Sequence, residues 1–143
     1  MNDLEIAKAQ LHKEQAAMAI VKDGNIVFIT RSHRISGFLE AIDQLGAKLE
    51  NSSVADRIVG KAVALLCVYV KARNVYADVL SKKAKIVLNE SEIVYDFKDL
   101  VENILNSDKS KLCPFEEIAE GISNPTEAYH SFKKLHKTLC CGD

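Results

Sequence analysis

From Ser53 to Ala72 the chain reads SVADRIVGKAVALLCVYVKA, and between Ile58 and Val70 nearly every position is apolar whatever helical phase is assumed. A surface helix keeps one polar face, so a helix apolar all round is one buried on every side. The pattern predicts a central helix over 54–72, with Ser53 as its N-cap and Asp56 three residues on in a capping-box position. Its only charges in the first three turns, Asp56, Arg57 and Lys61, gather at the N-terminal end. A buried helix of this kind presents a polar tip to its surroundings, and that tip is where function is sought.

The flanking segments supply layers for such a helix to be buried between. Residues 3–15 place Leu4, Ile6, Ala7 and Leu11 on one helical face. Two β-branched runs, Met18 to Val21 and Asn25 to Thr30, are separated by Lys22-Asp23-Gly24, and Asp-Gly between such runs signals a hairpin. Ser36 and Gly46 bracket a helical spacing of Phe38, Leu39, Ile42 and Leu45. Beyond the central helix come a strand over 75–80, a helix over 81–89 opened by Ser81, and a strand over 92–97, which a crossover through that helix makes a parallel neighbour. A short helix is expected over 99–105. Pro114 and the acids after it start a helix that ends near Gly121, and a last helix runs from Pro125 into the tail. The expected core centres on Ile58, Val59, Ala62, Leu65, Leu66 and Tyr69 with Ile20, Val27 and Val79.

With 143 residues the chain suits one domain, 1–143, in which 1–17 form an N-terminal helix and 122–143 a C-terminal helix and tail. A net charge of −1 offers no basic footprint for nucleic acid or for an anionic membrane surface, and no window is long and apolar enough to span a bilayer. The four cysteines, 67, 113, 140 and 141, lack the spacing of a disulfide framework or a CxxC site and read as free thiols, so a cytoplasmic location is expected. His130 and His136 with Cys140 and Cys141 read as a frayed terminus rather than a metal site.

An N-terminal helix, a hairpin, a buried helix and then alternating strands and helices suit a three-layer α/β/α sandwich with a mixed sheet. DRIVGKAVALL, VLS at the next strand end and CPFEE at the late helix start resemble an uncharacterised bacterial family, a domain of unknown function with a cytidine-deaminase-like fold. The resemblance spans about Met18 to Gly121. Deaminases of that fold hold zinc with a His- or Cys-x-Glu triad at one helix start and a Pro-Cys-x-x-Cys pair at the next. Here the first position is read as Ala55-Asp56-Arg57 and the second as Ser81-Lys82-Lys83, neither of which can ligate zinc in that way. This departure from the deaminase pattern leads to the expectation of a zinc-free scaffold with no cofactor and no zinc-dependent deamination.

Lys61, inside an apolar helix, must snorkel, pair with a carboxylate or meet an anionic ligand. Arg57 and Lys61, four apart, would share a face that suits an anion at a helix N-terminus. Asp56 reads either as a capping carboxylate or as a group that orients a substrate hydroxyl or takes a proton. The Cys113 thiol stands at a helix start, where the dipole favours the thiolate while Glu116 and Glu117 oppose it, and it also fits a small packing role. Ser81 is an N-cap or part of a donor-rich pocket wall, and Asn106 a turn former or a ligand contact. The expectation is a small anionic or nucleotide-like ligand where the N-termini of the 54–72 and 81–89 helices meet. Cys113, Asp56 and Lys61 would be its reactive groups and Arg57, Ser81 and Asn106 its binding groups. The alternative is a non-enzymatic regulatory or interaction module that dimerises through exposed helices.

Overall fold

The computed structural model describes residues 2–32, 35–105 and 109–141, for Cys140 and Cys141 the backbone only. The elements are α1 (Asp3–Lys13), β1 (Met18–Lys22), β2 (Asn25–Thr30), α2 (Ser36–Leu45), β3 (Ser53–Val59), α3 (Lys61–Tyr69), β4 (Asn74–Ser81), α4 (Lys82–Glu90), β5 (Val94–Val101), α5 (Pro114–Glu120) and α6 (Pro125–Cys141). A short 3-10 turn, Gly46–Leu49, links α2 to β3. The five strands form one mixed sheet in the order β2-β1-β3-β4-β5, with β1 antiparallel to both neighbours and β3, β4 and β5 parallel.

Alternation across the sheet separates two cores. Ile20, Val54, Val75 and Ala77 face a large cluster with α2 to α6, while Ala19, Val21, Ala55 and Tyr76 face a small one with α1. The architecture is therefore three-layered, with α1 alone on one face. The hairpin forms as expected, because Asp23 and Gly24 take the positive φ values, 52° and 80°, that its two-residue turn requires. Gly46 ends α2 with φ 49°. Ser36 is the first residue of that helix rather than its cap; Ile35 precedes it and makes no side-chain capping bond.

The expected helix over 54–72 is two elements. Ser53–Val59 is the central strand β3, and only Lys61–Tyr69 is helical. A strand covered on both faces is as uniformly apolar as a buried helix, so periodicity does not separate them. The β-branched Val54, Ile58 and Val59 favour the strand and Gly60 breaks the run. Ser53 and Asp56 are consequently strand residues, not caps, and Lys61 opens the helix instead of lying in its second turn. Asp99–Val101 completes β5 in place of the expected helix. Ile58 is 49% exposed because the β1–β3 ladder stops at Met18–Asp56 and leaves the end of β3 without that neighbour. Val27 is 37% exposed at a bulge, since Val21 pairs with Ile26 and Ile20 with Phe28. Val79 and Tyr69 are half-buried; Ile20, Val59, Ala62, Leu65 and Leu66 are core residues.

Candidate functional site

Helices α3 and α4 leave the same edge of the sheet, each directly after its strand, and their N-termini lie where β3 and β4 end. The first N–H groups of a helix have no partner within it. Ser81 answers this for α4: it is fully buried, and its Oγ accepts from the Ala84 N–H at 3.1 Å. Gly60 has no side chain with which to cap α3. Instead the Glu116 carboxylate, from the first turn of α5, accepts from the N–H of Lys61 at 2.9 Å and of Ala62 at 2.7 Å. A Cβ built at Gly60 would lie within 2.8 Å of all three carboxyl atoms, so a glycine is what admits the acid.

Glu116 is 5% exposed. Burial pushes its carboxyl above the ordinary glutamate range, more than the Ala62 and Lys61 N–H groups and the Lys83 and Lys61 ammoniums pull it back. The first N–H groups of α3 thus have their acceptor in a carboxylate of the chain itself.

Beside this tip a groove of about 430 Å³ runs between α3 and α4. Leu65 and Val68 form one wall and Ile86 and Val87 the other. Lys61, Lys83 and Glu120 stand at the α3 N-terminal end, while Glu90 and Ser91 close the far end. Lys83 pairs with the Glu120 carboxylate at 2.6 Å, an exposed pair of small energetic value. Among the described residues the Lys61 ammonium donates to the Glu120 carbonyl oxygen alone, at 3.5 Å.

The family model of a domain of unknown function, DUF1893 (TM1506), matches residues 6–135. The chain belongs to the DUF1893 family. It is similar to the crystal structure of a DUF1893 family protein (TM1506) from Thermotoga maritima, with a TM-score of 0.85 and 25% identity over 93% of this chain and 89% of that one. No curated protein matches it.

In this DUF1893 chain the residues singled out from the sequence divide among four places, with Asn106 outside the described residues. Lys61 and Ser81 stand at the two helix starts. Asp56 lies further back on β3, 7% exposed, its Oδ1 accepting from the Ile58 N–H at 3.3 Å. Burial raises the Asp56 carboxyl to about 7, against the backbone N–H groups of Ile58 and Arg57, with Asp78 adding to the rise and the Arg57 guanidinium opposing it. Arg57 points to the opposite face. Its Nε donates to the Ala16 carbonyl at 2.9 Å, its Nη2 to the Leu11 carbonyl at 3.1 Å and its Nη1 to the Asp78 carboxylate at 3.0 Å, so it ties the end of α1 to the sheet. With Arg57 on strand β3 and Lys61 at the start of α3, the two do not share the helical face expected of them.

Cys113 is half-buried before α5. Lys61 meets α5 at Glu116 and Glu120, with its ammonium directed to the end away from Cys113, and no hydrogen bond or ion pair among the described residues joins that thiol to Lys61, Asp56 or Ser81. Asn106 lies outside the described residues, as do the side chains of Cys140 and Cys141; His130 is exposed on α6.

Two groups escaped the sequence reading. Glu116 looked like an acid serving the dipole of its own helix. The second is Asp78, which accepts from His12 and Tyr76, each at 2.8 Å, and from Arg57. Burial works to raise the Asp78 carboxyl, but these hydrogen bonds outweigh it and hold it below the usual range. Among the described residues no three His, Cys, Asp or Glu side chains gather to hold a metal ion, and no helix is long and apolar enough to cross a membrane.

Proposed function

We propose that this chain is a small-molecule binding protein on a cytidine-deaminase-like scaffold, and that it holds an anionic ligand, nucleotide-like compounds included, in the groove between α3 and α4. The strand order and the pair of helix starts at the ends of β3 and β4 support the scaffold. Where zinc deaminases of this fold carry their metal ligands, this chain carries Gly60-Lys61-Ala62 and Ser81-Lys82-Lys83. The observation that carries the reading is the Lys61 ammonium, which lines an apolar-walled groove and, among the described residues, forms no ion pair, the Glu116 and Glu120 carboxylates acting on it only at longer range. The α3 N–H groups are already engaged by Glu116, so a ligand anion belongs on Lys61 in the groove and not on the helix tip. Binding is favoured over catalysis because the Cys113 thiol, the Asp56 carboxyl and the Lys61 ammonium serve three separate places.

Thermal melts with inorganic phosphate, adenosine 5′-monophosphate and octanoate test this. A ligand at about 100 times its Kd stabilises by about 2.7 kcal/mol. For a chain of 143 residues that raises Tm by about 9 °C. At least one probe should produce such a rise, and Lys61→Met should weaken its binding at least fivefold. No rise with any probe, or a rise indifferent to Lys61→Met, overturns the reading in favour of a scaffold that dimerises through exposed helices.

A further inference from the structure

The groove differs at its two ends. Helices α3 and α4 both follow parallel strands and lie side by side, so their dipoles point the same way and add along the groove. At the N-terminal end Lys83 is held by Glu120 and Glu116 is engaged by backbone N–H groups, and Lys61, which forms no ion pair among the described residues although Glu116 and Glu120 lie within electrostatic range, is the ammonium open to a ligand there. At the C-terminal end Glu90, exposed in the last turn of α4, forms no ion pair or side-chain hydrogen bond among the described residues, and the helix dipole reinforces its negative charge. Lys83 and Glu90 are seven residues apart on α4, which places the two ends about 10 Å from each other. Between them Leu65, Val68, Ile86 and Val87 offer only hydrocarbon, and Ile86 is 55% exposed, a large apolar side chain left open to solvent in the groove wall.

We infer that the groove takes a bipolar small molecule of the ω-amino carboxylate type, with its carboxylate on Lys61, its ammonium on Glu90 and an apolar spacer over Ile86 and Leu65. This rests on the anion-binding reading above and narrows it. A plain fatty acid satisfies Lys61 and the walls but leaves Glu90 unmatched. A dicarboxylate of the same length sets two negative charges together at the Glu90 end, and like charges at close quarters are what an interface uses to reject a wrong partner. A nucleotide finds no aromatic side chain in the groove on which to stack.

The test is calorimetric titration at low ionic strength with 8-aminooctanoate, octanoate and octanedioate, on the wild type, Glu90→Gln and Glu90→Lys. Glu90 is exposed at a helix end, and thermal melts confirm that both variants fold. The wild type should bind 8-aminooctanoate at least fivefold more tightly than either other acid. Glu90→Gln should erase its advantage over octanoate, and Glu90→Lys should make octanedioate the preferred ligand. If the three bind alike, or their order ignores residue 90, the bipolar assignment is overturned while the anion site stands. The same holds if none of the three binds but phosphate or adenosine 5′-monophosphate does. Absence of binding by every anion overturns both.

Discussion

Replacing Gly60 with alanine probes the α3 N-terminus most directly. Gly60 has φ −97° and ψ −175°, an extended backbone open to any residue, so the change introduces no dihedral strain. What it introduces is a methyl group where the Glu116 carboxyl now stands. The carboxyl is the far end of a flexible side chain and can swing aside, so the overlap itself costs little. The cost lies in what the swing leaves behind, the Lys61 and Ala62 N–H groups at the start of a helix with its N-terminus against α5 and no acceptor of its own. Leaving a buried donor unpaired costs about 1–3 kcal/mol. Water recovers part of this at the less buried Lys61 N–H, and the stiffer unfolded chain returns about 0.4–1 kcal/mol. The net expectation is a loss of about 2–4 kcal/mol by denaturant unfolding, or a fall in Tm of about 7–13 °C at the usual unfolding entropy per residue over 143 residues. Glu116→Ala strips the same two N–H groups and should cost about as much. Once the carboxyl is gone the three atoms nearest the methyl group are gone with it, so Gly60→Ala in the Glu116→Ala background should be close to neutral, a coupling of about 2 kcal/mol or more. A Gly60→Ala loss below about 0.5 kcal/mol, or the same loss in both backgrounds, would refute the reasoning.

Two further outcomes follow from burial. Because the folded Asp56 carboxyl titrates near 7 and the unfolded one near 3.8, the native state binds the proton more tightly, and stability that is full below about pH 4 is lost as pH rises toward 7. Asp56→Asn should flatten that slope and gain up to about 4 kcal/mol at pH 8; an unchanged slope in urea titrations across this range would contradict it. Leu65→Ala should cost about 2–5 kcal/mol, whereas Ile58→Ser should lie within about 0.5 kcal/mol of the wild type, and equal losses would mean that the burial assigned to the two positions is wrong.

The parts of the fold that could be read from the sequence are those whose signals are local. Asp23-Gly24 between β-branched runs, Ser81 before α4 and Pro114 before α5 each state a backbone requirement within a few residues, and each element forms there. The β3–α3 boundary could not be read by the same means. Both elements are mostly buried and apolar, and the one mark between them was Gly60, which a helix reading absorbs as a mildly unfavourable interior residue. Placing Asp56, Arg57 and Lys61 on one helix then followed from that single error, and with it the expectation that Arg57 and Lys61 meet one anion.

Glu116 was hidden for a different reason: its partners lie 55 and 54 positions earlier, and nothing local separates it from Glu117. A signal does exist once the boundary is placed correctly. A buried helix that starts after glycine has no Ser, Thr, Asp or Asn to cap it, and its first N–H groups, shielded from water, must find acceptors elsewhere in the chain. Glycine also leaves the space through which a carboxylate can approach. A glycine directly before an apolar helix, with an acid in the first turn of a later short helix, therefore reads as a cap supplied from a distance, and it shifts the search for a ligand from the helix tip to the groove beside it.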